Sequence, residues 1–177
     1  MRKLTREEQE STKLVAEKYK NIQRNPFCAV LDNIRSVYNV GAMFRTSDAV
    51  LLEKLYLCGF TATPPRPDLT KTALLAEHSV PWEYQKDATK LIRNLKKKNY
   101  QIVSLEITNK SFDYTKAFYE FPLCLVVGNE LTGVKDEILD LSDIAIHIPM
   151  LGKCNSLNVA TAYGVTLFEV LRQYRKA

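Results

Sequence analysis

Apolar positions along this chain follow two rhythms. Short continuous runs occupy 27–32 (FCAVLD), 54–60 (KLYLCGF), 100–107 (YQIVSLEI), 122–128 (PLCLVVG) and 143–149 (DIAIHIP). Runs of this length, bounded by polar or turn residues, predict buried strands. Between them apolar residues recur at helical spacing in 40–51 (Val40, Met43, Phe44, Val50, Leu51), in the basic stretch 87–99 and in 157–173. Weaker helical signals fall at 71–78 and 134–141, and the Pro-rich stretch 61–70 predicts a surface loop. Strands alternating with helices predict an α/β domain with a mostly parallel sheet covered by helices on both faces. Ahead of it, Thr5 and Glu8 form a T-x-x-E capping box that opens a helix with Leu14, Val15, Tyr19 and Ile22 as a thin apolar stripe. Pro26 closes that helix, so the chain divides into a helical extension, 1–25, and one α/β domain, 26–177.

The last helix carries more apolar surface than one contact needs. Asn158, Thr161, Glu169 and Arg172 project as a narrow polar stripe, while Val159, Ala160, Tyr163, Val165, Leu167, Phe168, Val170 and Leu171 fill most of the rest. A helix apolar over so much of its circumference is expected to be buried on more than one side. Contact with both the sheet and a second subunit satisfies that, so a homodimer is expected. A central helix within one chain fits the same pattern.

Composition narrows the class. No apolar run reaches the ~18 residues of a membrane span. The first residues, MRKLTREEQE, lack the apolar core of a signal peptide, so a cytoplasmic protein is expected. Cys28, Cys58, Cys124 and Cys154 stand far apart with no C-x-x-C pair, which argues against zinc and predicts reduced, buried thiols. A net charge of +5 suits a polyanionic partner such as RNA and equally a merely basic surface.

Several chemistries are excluded by motif. No two glycines stand as G-x-G, so the dinucleotide fingerprint is missing. GNELTGVK (128–135) has P-loop glycine spacing but lacks the Lys-Ser/Thr that grips phosphate and magnesium. With only His78 and His147 present, a Ser-His-Asp triad or His-rich metal site has little material.

Polar excess instead gathers at three strand-to-helix junctions. In 31–49, Asn39 is expected to cap a helix that carries Arg45 between Ala42 and Ala49. In 125–134, Glu130 follows an apolar strand and is flanked by Gly128 and Gly133. In 148–158, Asn155, Ser156 and Asn158 crowd one helix start, although capping requires a single side chain. Parallel topology brings such junctions to the carboxyl edge of the sheet, where ligands bind.

These three segments, N-x-x-x-x-x-R (39–45), G-N-E-L-x-G (128–133) and I-P-M-x-G-x-x-N-S-L-N-V-A-x-A (148–162), resemble the three motifs of SpoU/TrmH-type RNA 2′-O-methyltransferases of the SPOUT superfamily. The resemblance runs from about Phe27 to the C-terminus. It implies a SPOUT fold with a C-terminal trefoil knot, a homodimer with the last helix in its interface, and S-adenosylmethionine as cofactor. By matching positions, Leu105, Gly128, Ile148 and Leu157 would hold the cofactor, largely through backbone groups. Arg45 would engage the substrate ribose or phosphate. Asn39, Glu130, Ser156 and Asn158 would orient the nucleotide, Arg45 and the cofactor loop.

The implied reaction moves a methyl group to a ribose 2′-hydroxyl of tRNA or rRNA, with no metal. So short an N-terminal extension leaves RNA to be gripped by the basic stretches 13–24 and 90–98, including Lys97, and by the segment holding Arg66 and Lys71. Rival readings are a related methyltransferase acting on a base and a non-catalytic RNA-binding factor of the same fold.

Overall fold

The computed structural model describes residues 1–11 and 22–176. Seven parallel strands form one sheet: β1 (Phe27–Asp32), β2 (Leu55–Cys58), β3 (Trp82–Gln85), β4 (Gln101–Leu105), β5 (Phe112–Asp113), β6 (Leu123–Val127) and β7 (Ile144–His147), in the order β3-β2-β1-β6-β4-β7-β5. The five apolar runs became β1, β2, β4, β6 and β7. Every residue of β1 and β6 is buried, because each lies in the middle of the sheet with helices on both faces. β3 and β5 were missed. β3 is a partly exposed edge strand without a continuous apolar run, and β5 spans only two residues, too few to carry a pattern.

The helices among the described residues are α1 (Arg6–Ser11), α2 (Val37–Ala49), α3 (Pro67–Ala73), α4 (Ala76–Ser79), α5 (Ala88–Lys97), α6 (Asp136–Leu139) and α7 (Val159–Tyr174). The capping box forms at α1: the Thr5 N–H donates to Glu8 Oε2 at 2.7 Å and the Glu8 N–H to Thr5 Oγ1 at 3.2 Å. Leu14, Val15 and Tyr19 of the expected apolar stripe lie outside the described residues. α3 begins inside the stretch expected to be a loop, with Pro67 at its first position, where a missing N–H costs nothing.

The sheet separates two cores. On one face α2, α3, α4 and α7 cover a cluster that includes Leu31, Phe44, Leu57, Leu125 and Tyr163. On the other, α5 and α6 cover Cys28, Val30, Ile92, Ile102, Cys124 and Ile138. Burial pushes the Cys58 thiol up to about 12, so it stays protonated at neutral pH. Cys154 departs from the expectation of buried thiols: it is exposed, because its loop stands off the core.

Two local expectations change in the helices. α2 starts at Val37, and Ser36 rather than Asn39 is its N-cap, accepting from the Asn39 N–H at 3.3 Å. That releases the Asn39 side chain for other contacts. On α7, Glu169 is buried and paired with Arg172, whereas Val165 and Phe168, the latter 51% exposed, stand on the open face with Thr161 and Arg172.

Inside α7 the Tyr163 hydroxyl lies 2.7 Å from Ser47 Oγ, while the fully buried Thr166 hydroxyl has no partner among the described residues. A buried hydroxyl without a hydrogen bond has lost its water for nothing. Thr166→Val keeps the shape and removes that group. Urea unfolding is expected to show the variant more stable, by about 1 kcal/mol.

Candidate active site

The carboxyl ends of β4, β6 and β7 and the start of α7 enclose a cleft of about 490 Å³. Its wall is built by the strand-to-helix junctions at 128–133 and 148–158 together with the end of β4. Leu105, Gly128, Ile148 and Leu157 all line it, as do Glu130, Ser156 and Asn158. Asn39 stands behind that wall, and Arg45 is exposed on α2, outside the lining. Lys71 is exposed on α3, and Arg66 pairs with Asp68 at 2.8 Å. Lys97 sits in the last turn of α5, which starts at the carboxyl edge and runs back towards the amino edge, away from the cleft.

One relay of side chains joins the three junctions. Glu130 Oε2 accepts from the Arg35 N–H at 2.8 Å, and Oε1 accepts from the Ser36 N–H at 3.1 Å and from Asn39 Nδ2 at 2.9 Å. A carboxylate only accepts, so it turns the Asn39 amide nitrogen towards itself and the oxygen away. That oxygen accepts from Asn158 Nδ2 at 3.1 Å, which leaves Asn158 Oδ1 facing the Ala160 and Thr161 N–H groups at 3.0 and 3.3 Å. The same Asn158 oxygen therefore caps α7. Asn158 provides the cap alone; Ser156 takes no part in it and remains on the cleft wall.

Backbone geometry makes the second junction. Asn129 and Gly133 exchange two backbone hydrogen bonds, at 3.1 and 2.8 Å. A Cβ on Gly128 would meet the Gly133 carbonyl oxygen at 2.2 Å. Gly133 has φ +69°, and its Cβ would meet Glu106 Oε2 at 2.2 Å. Gly128 is thus required by the close approach of backbone to backbone, and Gly133 by its left-handed φ.

The apolar pattern places Glu106 at the end of a strand, but β4 stops at Leu105. Glu106 Oε2 accepts from the Val134 N–H at 2.8 Å and Oε1 from the Ile107 N–H at 2.9 Å, tying the 128–134 turn to β4. Its signal, a carboxylate just past an apolar strand, was the one that singled out Glu130. A further brace is the ion pair from Lys135 Nζ to the buried Asp32 carboxylate, 3.0 Å. His147 also lines the cleft, with Nδ1 3.0 Å from Ser111 Oγ. Asn129 donates from Nδ2 to the Asn33 carbonyl at 2.8 Å, joining the cleft to the end of β1.

The third junction is open backbone. Residues 148–157 make no backbone hydrogen bonds to other described residues, and 151–158 are exposed. Their N–H and C=O groups, beside the apolar walls of Leu105, Ile107, Ile148 and Met150, are available to a ligand with both a flat apolar part and polar edges.

A parallel α/β domain with glycine-shaped turns, open backbone and a carboxylate-amide relay at one carboxyl edge defines a binding site for a mixed polar and apolar ligand. The SpoU rRNA Methylase family model matches residues 26–168. The chain is 34% identical over 145 residues to the tRNA (guanosine(18)-2′-O)-methyltransferase of Aquifex aeolicus, covering 80% of this chain and 67% of that one. To the enzyme of the same name from Thermus thermophilus it is 33% identical over 159 residues, covering 88% and 79%. A crystal structure of an A. aeolicus TrmH/SpoU tRNA modifying enzyme superposes with a TM-score of 0.81 at 30% identity, over 90% of this chain and 84% of that one. An AdoMet-bound rRNA methyltransferase from Sinorhizobium meliloti gives 0.79 at 27% identity, over 88% and 60%. The chain belongs to the SpoU methylase family.

Burial alone would raise the Glu130 pKa, but its hydrogen bonds from the Arg35 N–H, Asn39 and the Ser36 N–H outweigh that and hold it below the ordinary value near 4.5. A carboxylate whose pKa is lowered by folding contributes stability above the ordinary pKa and loses it as pH falls through the lowered one. Glu130→Gln lacks this contribution. The stability gap between wild type and variant, from chemical unfolding at a series of pH values, is expected to be widest near neutrality and to close as pH falls below about 4.5. A gap independent of pH would mean that the charge is not what holds the relay.

Proposed function

We propose that the chain is an S-adenosylmethionine-dependent RNA methyltransferase that acts on a ribose 2′-hydroxyl of tRNA or rRNA. The observation that carries this reading is the joining of three motifs at one cleft through Glu130, Asn39 and Asn158. The cleft fits the cofactor. Its volume lies in the range of small-molecule sites, and residues 148–157 offer backbone groups that the fold leaves unbonded. Leu105, Gly128, Ile148 and Leu157 would hold it, and the bound sulfonium would supply an activated methyl group.

What remains is work for this chain's own residues. The 2′-hydroxyl must be held in line with the methyl group and its developing negative charge must be balanced. Arg45 is the cation for that charge. Its guanidinium keeps its proton in proteins, so it stabilises the alkoxide without acting as a base. Glu130, Asn39 and Asn158 set the shape of the cleft mouth, and Ser156 faces the nucleotide. Lys71, Arg66 and Lys97 are candidate phosphate contacts. A domain spanning 26–177 would do this work with 1–25 as a helical extension, in the cytoplasm. No described helix is long and apolar enough to cross a membrane.

The same reading includes a knotted C-terminal segment and a homodimer. In support of the knot, β6 and β7, the last strands in sequence, lie inside the sheet, between β1 and β4 and between β4 and β5. In support of the dimer, Val165 and Phe168 are uncovered on α7, and Arg45 is exposed on the neighbouring α2 without lining its own cleft. A two-fold arrangement through these helices would let one subunit's Arg45 reach the other's cleft.

Arg45→Ala is expected to lower methyl transfer to unmodified tRNA or rRNA by at least about 10²-fold. Calorimetry should show S-adenosylmethionine binding undisturbed; a near-normal rate would remove Arg45 from the chemistry. Phe168→Glu places a charge on the proposed interface. Sedimentation should then give the 20.2 kDa monomer where the wild type sediments as a dimer.

A further inference from the structure

Phe60 is a large apolar side chain left in the open at the same sheet edge as the cleft, without a role in the reading above. It follows β2 at the carboxyl edge of the sheet and is 62% exposed. The backbone that carries it is held firmly. Its own N–H donates to Asn33 Oδ1 at 3.2 Å. Thr61 Oγ1 donates to the Leu31 carbonyl and accepts from the Ile34 N–H, both at 3.0 Å, and the Gly59 N–H donates to the Gln85 carbonyl at 3.1 Å. Gly59 has φ +63°, and a Cβ there would meet Asn33 Oδ1 at 2.1 Å.

An exposed aromatic ring costs solvation, and here the loop beneath it is anchored to both neighbouring strands. That is the build of a platform rather than of a wandering loop. Asn33 also links the platform to the cleft, because its carbonyl accepts from Asn129, a cleft-lining residue. Phe60 is therefore two hydrogen-bonded steps from the cleft wall. Arg35, two residues past Asn33 in the β1 loop, and Lys86, just past β3, are both exposed and without ion pairs among the described residues. An exposed apolar ring on the β2 junction, with unpaired cations on the neighbouring β1 and β3 junctions, matches the chemistry of single-stranded RNA, whose bases stack and whose phosphates are anionic.

We infer that Phe60 is a stacking platform for an unpaired base of the substrate RNA, next to the nucleotide that enters the cleft, with Arg35 and Lys86 on the flanking phosphates. This rests on the RNA-methyltransferase reading and adds to it that the substrate meets the enzyme as an open loop. Stacking on one aromatic side chain accounts for roughly 5- to 150-fold in affinity.

The test uses the full-length protein and two fluorescently labelled RNAs, a hairpin with an open loop and a fully paired duplex of the same length, read by anisotropy. Phe60→Ala is expected to weaken hairpin binding by roughly 5- to 150-fold with duplex binding little changed, and Phe60→Trp to restore it. Arg35→Ala should weaken both RNAs and lower the slope of affinity against salt by about 1, which Phe60→Ala should leave alone. Calorimetric binding of S-adenosylmethionine by each variant checks that the fold is intact. Equal hairpin affinity for wild type and Phe60→Ala, an equal loss on hairpin and duplex, or a shift of Phe60→Ala from dimer to monomer in sedimentation would overturn the platform. Methyl transfer by the wild type to unmodified tRNA and rRNA, run alongside, separates the readings. Transfer with an unchanged KM for Phe60→Ala removes the platform alone, whereas Phe60-dependent hairpin binding without any transfer removes the activity alone.

Discussion

The site depends on one carboxylate. Glu130 takes three N–H donors from the β1–α2 junction, two from backbone and one from Asn39, and so fixes a turn after β6 against the start of α2. Because it can only accept, the relay beyond it has one consistent direction: Asn39 must point its oxygen at Asn158, and Asn158 must point its oxygen at the first turn of α7. A polar chain of this kind sets position more than it adds stability, since its groups exchange water for one another at little net gain. What it gains is registry. Three segments far apart in sequence are held within hydrogen-bonding distance at the mouth of one cleft.

Around that relay the fold withholds hydrogen bonds where a ligand could use them. Backbone polar groups in a domain normally find partners, yet residues 148–157 have none from backbone among the described residues. Water can satisfy them while the loop is exposed. A ligand that replaces the water and also fills the apolar part of the cleft would gain from both. The turn opposite is tied down by contrast, by the paired backbone groups of Asn129 and Gly133 and by Glu106 on the Val134 N–H. A firm wall facing an unsatisfied one suits a site that must grip a cofactor and still admit a nucleotide.

Much of this was legible in the sequence because it is local. A strand buried on both faces needs a continuous apolar run, so β1, β2, β4, β6 and β7 announce themselves; an edge strand such as β3 and a two-residue pairing such as β5 do not. The polar surplus at Asn39, Glu130 and Asn158 showed that the three junctions were doing more than ending helices. It could not show the partners. Asn39 looked like a cap because it precedes an apolar helical run, but Ser36 reached the position first and freed the amide for Glu130. Glu106 and Asn33 carry no such surplus, because a single polar residue at a strand end is ordinary until its acceptor or donor is known.

By itself the sequence determined the class of fold, the strands of the middle of the sheet, the last helix and the identity of the motif residues, since each follows from periodicity, burial or spacing within a few residues. Tertiary structure decided the strand order, which puts β6 and β7 between earlier strands, and with it which junctions meet. It also decided that Arg45 is exposed on α2, that Glu169 is buried while Phe168 is not, and that the Phe60 ring stands exposed on a braced loop at the carboxyl edge of the sheet. The reason is physical. Hydrophobic periodicity states how much surface a segment must hide, whereas hydrogen bonds between distant side chains depend on distances that exist only once the sheet has assembled.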